Sequence, residues 1–470
     1  MKSALEVARE VREGRRTALS VVDETIARID ARNHLTNSFV TRTYDRARSE
    51  AGEIDRLRRG GQSLPALAGV PYAVKNLFDI EGVVTLAGGQ VNAANPAAQR
   101  DAVLVARMQA AGAILVGTLN MDEHAYGFTT ENTHYGATRN PHDPARTAGG
   151  SSGGSAAAIA GGLVPLTLGS DTNGSIRVPS SLCGTFGLKP TFGRLGRTGT
   201  FPFVASLDHV GPFACNTADL AAAYDVLQGA DPSDVACAQR PPDPVSARVV
   251  SGSAMPKAPR IAILGGYFRE WADESARSAV DLAAAVMGAT TVVELKGAAH
   301  ARAAAFILSG AQGGALHLSR LRTRYDEFEP HSRDRLVAGS LIPASWVERA
   351  QRIRRRVFEE ALRLFDTFDL LLAPATPVTA TPIGSEWINI NGAVLPCRPS
   401  MGLLTQPISC IGLPVCAAPL WPHGMGVDGE TSNAKLPLGV QLIAAPWRED
   451  VCLAAAAFLE HAGVAVCRVA

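Results

Sequence analysis

This sequence lacks three features that would direct it to nucleic acid, to a membrane or to a metal. Its 470 residues include 45 Lys plus Arg and 44 Asp plus Glu, so neither nucleic acid nor an anionic membrane meets an excess of positive charge. No apolar run approaches the length of a membrane-spanning helix. No Cys/His cluster has the spacing of a zinc site. We therefore expect no direct nucleic-acid partner, no membrane association and no metal centre.

The eight cysteines also lack any regular pattern. None forms a C-x-x-C pair, and scattered cysteines in a chain of this length are typical of reduced, mostly buried thiols. The charged segment 1–16 has no apolar core of the kind that signal peptides carry. These features predict a cytoplasmic protein whose cysteines are unpaired.

Strand and helix patterns alternate along the chain. Residues 66–74 and 113–117 are short apolar runs typical of buried strands, and residues 101–111 between them have helical spacing. This alternation predicts an α/β core. A helical segment covers about residues 1–60, and the proline-, serine- and alanine-rich residues 230–259 predict a surface linker.

Glycine and serine cluster twice within residues 147–177, once around Ser151 and once around Ser175. Glycines let the backbone turn tightly and bring its amide groups close to a small ligand. Between the clusters, residues 155–162 predict a helix and residues 163–168 a short strand, which a flexible glycine-serine linker would not contain. Two hydroxyl-bearing loops joined by a helix and a strand indicate a catalytic centre.

Three kinds of enzyme site are compatible with such loops. The nucleophile-elbow motif G-x-S-x-G occurs around Ser151 and around Ser152, but the preceding residues 140–148 form a polar loop where that motif needs a strand. A phosphate-binding loop would need a following G-K-[ST], which the sequence does not have. The third kind pairs a serine with a lysine whose pKa falls on burial. Lys75 ends the apolar run 69–74 and is the candidate base, although this pattern alone favours a strand-end lysine that reaches water.

The motifs in combination resemble those of the amidase signature family. G-G-S-S-G-G-S around Ser151 and G-S-D-T-N-G-S-I-R around Ser175 resemble its two serine motifs, and their spacing of 24 residues is also similar. G-V-P-Y-A-V-K-N-L-F-D around Lys75 resembles its lysine strand. N-M-D-E-H-A-Y-G from Asn120 and L-P-L-G-V-Q-L-I-A from Leu436 extend the resemblance over nearly the whole chain.

The resemblance implies a mixed, twisted central sheet covered by helices on both faces, in a single domain over residues 1–470. It implies that Ser175 is the nucleophile, that Ser151, which follows a cis peptide bond in the family, relays the proton, and that Lys75 is the base. It implies no metal and no organic cofactor. The implied oxyanion hole consists of the backbone N–H groups of Thr172, Asn173, Gly174 and Ser175.

Two residues near these motifs bear on substrate choice. The family usually has glycine where this chain has Asn173. Asparagine tolerates positive φ better than most residues, so the backbone of the loop can keep its shape. The asparagine side chain would narrow the substrate pocket or make it more polar. Arg335 resembles the arginine that holds the substrate carboxylate in amidotransferase subunits, and a surface helix arginine is the alternative interpretation. Ser152 and Thr191 are interpreted as supporting hydroxyls.

Within the family, two segments are similar to subunits that release ammonia from small anionic urea-like amides such as 1-carboxybiuret during s-triazine (cyanuric acid) degradation. They are T-N-G-S-I-R-V-P from Thr172 and L-L-A-P-A-T-P-V-T-A-T-P-I-G from Leu371. The resemblance implies a small-molecule amide substrate, an acyl-serine intermediate and a small accessory subunit as partner. The alternatives are the glutaminase (A) subunit of a tRNA-dependent amidotransferase, where N-M-D-E also occurs, a general amidase, and a subunit that only scaffolds a complex.

Overall fold

A mixed sheet with many strands forms the centre of the protein. The computed structural model describes residues 1–252, 254–256, 258–421, 424–425, 431–432 and 436–470. In chain order the strands of the described part are β1 (Phe39–Arg42), β2 (Pro71–Lys75), β3 (Ile114–Leu119), β4 (Glu131–Asn132), β5 (Gly136–Ala137), β6 (Arg139–Asn140), β7 (Asp143–Thr147), β8 (Leu166–Asp171), β9 (Phe186–Lys189), β10 (His209–Ala214), β11 (Ile261–Leu264), β12 (Thr291–Val293), β13 (Leu370–Pro374), β14 (Trp387–Ile390), β15 (Ala393–Pro396), β16 (Val415–Leu420), β17 (Gly424–Met425), β18 (Thr431–Ser432) and β19 (Leu438–Ile443). Eleven of them lie in one sheet, in the order β1-β3-β2-β8-β10-β9-β16-β19-β13-β11-β12.

Helices connect most of the sheet strands. The α-helices of the described residues are α1 (Ala4–Arg12), α2 (Ala18–Thr36), α3 (Tyr44–Arg59), α4 (Val103–Ala110), α5 (Gly153–Ala160), α6 (Arg177–Cys183), α7 (Thr217–Leu227), α8 (Ser246–Val250), α9 (Tyr267–Glu270), α10 (Glu274–Met287), α11 (Ala298–Arg324), α12 (Pro330–Ser340), α13 (Ala344–Thr367), α14 (Cys397–Ser400), α15 (Gln406–Ile411) and α16 (Glu449–His461). None of the helices in these described ranges has the length and apolar character needed to cross a membrane.

The sheet is mixed in direction and buried on both faces. β2 runs parallel to β3 and β8, whereas β8, β10, β9, β16 and β19 pair successively antiparallel. Every residue of β2, β3 and β8 is buried. Because successive side chains of a strand point to opposite faces, continuous burial means that both faces are covered. The predicted α/β fold class, with a mixed central sheet, is confirmed.

Side chains from elsewhere in the chain hold the N-terminal helices on the body. Asp219 accepts hydrogen bonds from the backbone N–H groups of Ala4 and Leu5 at 2.6 and 3.0 Å, so it satisfies free donors at the start of α1. Asp55 does the same for Ala18 at the start of α2. These helices therefore dock through their ends as well as through their apolar faces.

The structure corrects three local predictions made from the sequence. The predicted strand 163–168 lies later, at Leu166–Asp171, because its ladder with β10 continues to Asp171, so residues 169–171 belong to a strand and only 172–175 turn. The helix after the first serine loop begins at Gly153. The predicted polar loop 140–148 contains the antiparallel pair β6–β7.

The predicted linker, residues 230–259, contains structure of its own. Helix α8 lies within it, and Val245 and Val249 are buried there. Residues 253 and 257 of this segment lie outside the described residues.

One cysteine pair departs from the prediction of unpaired thiols. Cys215 and Cys467 form a disulfide, with their Cα atoms 5.2 Å apart. The prediction is therefore wrong for these two, and the other six cysteines are free and buried. Because 252 residues separate the two partners, their spacing along the chain could not reveal that the fold brings them together.

Candidate active site

Two parallel strands bring Lys75 to the first serine loop. Val74 of β2 lies beside Leu168 of β8, so the carboxyl ends of both strands meet at one edge of the sheet. There, hydrogen bonds join Lys75 Nζ to Ser151 Oγ at 2.7 Å and to Ser170 Oγ at 2.9 Å. Lys75 is 0% exposed, so the alternative of a strand-end lysine that reaches water is wrong.

The environment of Lys75 favours its neutral form. Burial removes water from around the ammonium group and lowers the pKa of Lys75 to about 7, although Asp122, Asp171 and Asp208 act in the opposite direction. An amine with such a pKa is partly unprotonated near neutral pH. It can therefore accept a proton from the hydroxyl group beside it.

The first serine loop is tightly enclosed. The peptide bond between Gly150 and Ser151 is cis. A Cβ at Gly150 would overlap Asp122 and Thr129, so only glycine fits this close approach. The carbonyl oxygen of Ser151 accepts a 3.3 Å hydrogen bond from the N–H of Asp122. Ser152 Oγ donates to the carbonyl oxygen of Ser170 at 3.1 Å, which ties this loop to β8 and agrees with a supporting role.

A buried carboxylate links the two ends of the turn 172–175, which carries Ser175. Asp171, the last residue of β8, accepts hydrogen bonds from the N–H of Ile176 at 3.2 Å and from two nitrogens of Arg177 at 2.9 and 3.0 Å. Burial acts to raise the pKa of Asp171, but the guanidinium of Arg177 outweighs it and holds that pKa well below its usual range. The ionised pair thus joins the two ends of the turn 172–175.

The turn itself exposes backbone N–H groups. Within the turn, Gly174 has a positive φ of 141°, whereas Asn173 does not have a positive φ. A Cβ at Gly174 would overlap Thr405 Oγ1, which donates to the carbonyl oxygen of Asn173 at 2.8 Å. Within the described residues, the N–H groups of Asn173, Gly174 and Ser175 donate to no acceptor. They are free to bind an oxygen atom with negative charge.

Two adjoining cavities lie at this edge of the sheet. Ser175 lines the smaller cavity, of about 20 Å³, which also contains Asn173, Arg335 and several aromatic side chains. Ser170 lines the larger one, of about 170 Å³. The two share three lining residues, Ala125, Thr172 and Phe203. Of these two cavities, only the smaller is lined by Ser175.

Arg335 lies at the smaller cavity and not on an open surface. Its guanidinium stacks on the ring of Tyr126 at 3.7 Å and donates to the Tyr126 carbonyl oxygen at 3.3 Å. A guanidinium has five N–H donors, so most of its hydrogen-bonding capacity remains for an anion. The structure therefore puts Arg335 and Ser175 on one cavity, as a carboxylate-binding role requires.

Several residues of the site could not be recognised from the sequence. Ser170 lies inside the motif around Ser175, but no pattern marks its role, although its hydroxyl bonds Lys75. Ser309 bonds Asn173 from the middle of α11, and nothing in the helical pattern of that segment marks it. Thr191, by contrast, bonds the N–H of Trp447 at 2.8 Å and lines neither cavity.

The fold and these two serine loops define a class of hydrolase. Residues 20–453 match the amidase family. The chain belongs to this family and is a hydrolase of the amidase signature type.

Two curated relatives cover almost the whole chain. The 1-carboxybiuret hydrolase subunit AtzE of Pseudomonas sp. (strain ADP) is 56% identical over 464 residues, which is 98% of this chain and 98% of the relative. The A-type subunit of the glutamyl-tRNA(Gln) amidotransferase of Chloroflexus aurantiacus (strain ATCC 29366 / DSM 635 / J-10-fl) is 36% identical over 467 residues, covering 93% and 91%.

Solved structures agree with the sequence comparison. A structure of a vestigial protein complex, described as revealing the evolutionary origins of an s-triazine catabolic enzyme, is 55% identical with a TM-score of 0.95 over 100% of both chains. The A-type subunit of the amidotransferase from Thermotoga maritima is 26% identical with a TM-score of 0.76, over 94% of this chain and 91% of that one.

Proposed function

We propose that this protein hydrolyses a small anionic urea-like amide, 1-carboxybiuret, and releases ammonia through an acyl-serine intermediate. The observation that carries the proposal is the pair of hydrogen bonds from buried Lys75 to Ser151 and to Ser170, which lies two residues before the turn 172–175 that ends in Ser175. A base of lowered pKa, two hydroxyls and a set of amide donors are the parts that acyl transfer needs.

We propose the following steps for acylation. Ser175 Oγ attacks the amide carbon while its proton passes to Ser151 Oγ, and the proton of Ser151 passes to neutral Lys75. The N–H groups of Thr172, Asn173, Gly174 and Ser175 bind the oxyanion of the tetrahedral intermediate. The carbon–nitrogen bond then breaks, the nitrogen takes the proton back from Lys75 through Ser151, and ammonia leaves.

Deacylation repeats the same proton path with water. Water attacks the acyl-serine carbon, its proton passes through Ser151 to Lys75, and the second tetrahedral intermediate forms at the same donors. Its collapse breaks the bond to Ser175 Oγ, which recovers the proton, and releases the acid product, which for a urea-type amide is a carbamic acid. One water is consumed for each ammonia released.

Two observations support an anionic substrate and a partner subunit. Arg335 supplies a cation to the cavity that Ser175 lines, so it would bind the substrate's carboxylate. The relative that is 56% identical is named a subunit of 1-carboxybiuret hydrolase, and the similar solved structure is described as a protein complex. We propose a small accessory subunit as the partner of this chain.

Ammonia release from a substrate panel tests this proposal. The chain would be assayed on 1-carboxybiuret, biuret and glutamine, with and without a co-expressed small subunit. We expect the highest kcat/KM for 1-carboxybiuret and a raised KM for it, not for biuret, in Arg335→Ala. An unchanged KM for 1-carboxybiuret in that variant would remove Arg335 from substrate binding.

The second candidate function is the glutaminase of an amidotransferase. The 36% identical amidotransferase relative favours it, since this chain covers 91% of that relative. Glutamine also carries a carboxylate that Arg335 could bind. A kcat/KM for glutamine above that for both ureas would establish this function in place of the first.

A further inference from the structure

We propose that the side chain of Asn173 selects substrates with an N–H group next to the scissile carbonyl. Such substrates are urea-type amides, in which nitrogen flanks the carbonyl on both sides, as opposed to carboxamides, which have carbon on one side. The inference deepens the proposed function and rests on it. It depends on the side-chain oxygen of Asn173, because a contact with helix α11 determines which way the Asn173 amide group is turned.

A serine on α11 determines which way the Asn173 amide faces. Ser309 Oγ donates its single hydrogen to the carbonyl oxygen of Ala305 at 2.7 Å. It can therefore only accept from Asn173, and Asn173 Nδ2 donates to it at 2.8 Å. Because the nitrogen bonds Ser309, the Asn173 Oδ1 atom is not the atom that contacts this serine.

That oxygen is buried and has no partner. Asn173 is 7% exposed, and its Oδ1 accepts no hydrogen bond from the residues that the structure describes. A buried carbonyl oxygen without a donor is unfavourable, so a ligand that supplies an N–H to it gains affinity. The oxygen is thus an available acceptor in the turn 172–175.

Two other polar side chains of the cavity already have hydrogen-bond partners, and a third is a donor only. Arg335 has only N–H groups to offer, and the Gln406 side-chain oxygen accepts from Arg302 at 3.2 Å. Thr172 Oγ1 donates to Asp208 at 2.6 Å. The cavity therefore offers donors for a carboxylate at Arg335 and an acceptor for an N–H at Asn173, and a carboxylated urea has both groups.

Selection follows from what each substrate can donate. In a urea-type amide, the nitrogen on the acyl side of the reacting carbonyl carries a hydrogen that Oδ1 can accept. A CH2 group in the same place has no such hydrogen and leaves Oδ1 unpaired. A site built to bond an N–H rejects an isostere that lacks it more strongly than a purely apolar pocket can.

Biuret and malonamide form a matched pair for the test. They are neutral and nearly equal in size, and they differ in having N–H or CH2 between the two carbonyls. We would measure kcat/KM for both with ammonia release and compare their ratio among variants. The intrinsic reactivity of the two compounds cancels in that comparison.

Three variants separate the outcomes. Asn173→Ala should reduce the biuret-to-malonamide ratio by about 10- to 100-fold, since one bond to a buried acceptor is lost. In Asn173→Asp the hydroxyl hydrogen of Ser309 can turn from Ala305 to one carboxylate oxygen, which leaves the other oxygen as the acceptor, so this variant should retain the ratio of the unaltered protein. Asn389→Ala, the same substitution on the exposed β14–β15 hairpin, serves as the control and should also retain it.

Failure of the inference and failure of the proposed function give different results. If the biuret-to-malonamide ratio of kcat/KM in Asn173→Ala equalled that of the unaltered protein, the inference would be overturned, but the proposed hydrolysis of ureas would not. An equally large fall in Asn173→Asp would also overturn it, because the acceptor would then not be the cause. An unaltered protein that releases ammonia from none of the ureas would instead refute the proposed function.

Discussion

At the scale of single residues, two buried lysines with similar pKa values have different surroundings. Burial lowers the pKa of both Lys75 and Lys189 to about 7. Lys189 donates to the backbone carbonyl oxygens of Pro190 and Leu413, whereas Lys75 bonds two hydroxyl groups. A carbonyl oxygen has no proton to give, so of these two only Lys75 can act as a base toward its neighbours.

The rate should therefore follow the protonation of Lys75. Below pH about 7 the amine gains a proton and can no longer accept one, so kcat/KM should fall about tenfold per pH unit, and above that pH it should level off. A pH profile of kcat/KM for the best substrate measures this. A rate that stays flat through mildly acidic pH would contradict the lysine-base assignment.

Lys189→Met provides the control for this profile. The substitution removes a buried amine of similar pKa whose hydrogen bonds, within the described part of the chain, go to backbone carbonyl oxygens, so the midpoint of the profile should stay in place. Lys75→Ala, in contrast, should lose nearly all turnover while the fold remains intact. Substantial residual activity in Lys75→Ala would count against the relay.

At the scale of elements, the ion pair at the end of β8 holds the turn 172–175. Asp171 and Arg177 are both 0% exposed, and Arg177 also bonds Gln441 of β19 at 2.6 Å and Ser409 of α15. One guanidinium thus connects the turn to a strand and a helix from the far end of the chain. The shape of the turn depends on these long-range contacts.

Breaking this pair should cost much stability. Arg177→Met leaves the Asp171 carboxylate buried without its cation and should lower the free energy of unfolding by about 3–5 kcal/mol. The double variant Asp171→Asn/Arg177→Met should recover part of that loss, since no buried charge remains unpaired. Urea unfolding of the unaltered protein, Arg177→Met and the double variant measures their order of stability. A double variant less stable than Arg177→Met would contradict the expected order.

At the scale of the whole molecule, one sheet joins the two parts of the chain on either side of residues 230–259. β9 precedes this segment and β16 follows it, and the two strands pair through Leu188 and Cys416. The Cys215–Cys467 disulfide also joins the two parts. The prediction of a single domain agrees with this arrangement and awaits its own test.

A chain cleaved within residues 230–259 should stay assembled. Its two fragments share β-sheet hydrogen bonds, so they should elute as one species in size-exclusion chromatography under reducing, native conditions. Denaturing gels should show them joined without reductant and separate with it, because of the disulfide. Native separation of the fragments would contradict the single domain.

Local sequence patterns predicted those parts of the site that lie close together in the chain. The strand that carries Lys75 and the two glycine-serine loops could be predicted because short apolar runs and glycine clusters are local signals. The Asn173–Ser309 bond and the disulfide could not, since they join residues 136 and 252 positions apart. Only the fold determines such contacts.

Mass spectrometry of the covalent adduct tests the central claim, that Ser175 is the nucleophile, most directly. A serine-directed phosphonate would be added to the protein and to Ser175→Ala, and the modified peptide would be identified. We expect one adduct, on Ser175, which disappears in Ser175→Ala while the variant stays folded. Labelling that persists unchanged in Ser175→Ala would contradict the assignment of the nucleophile.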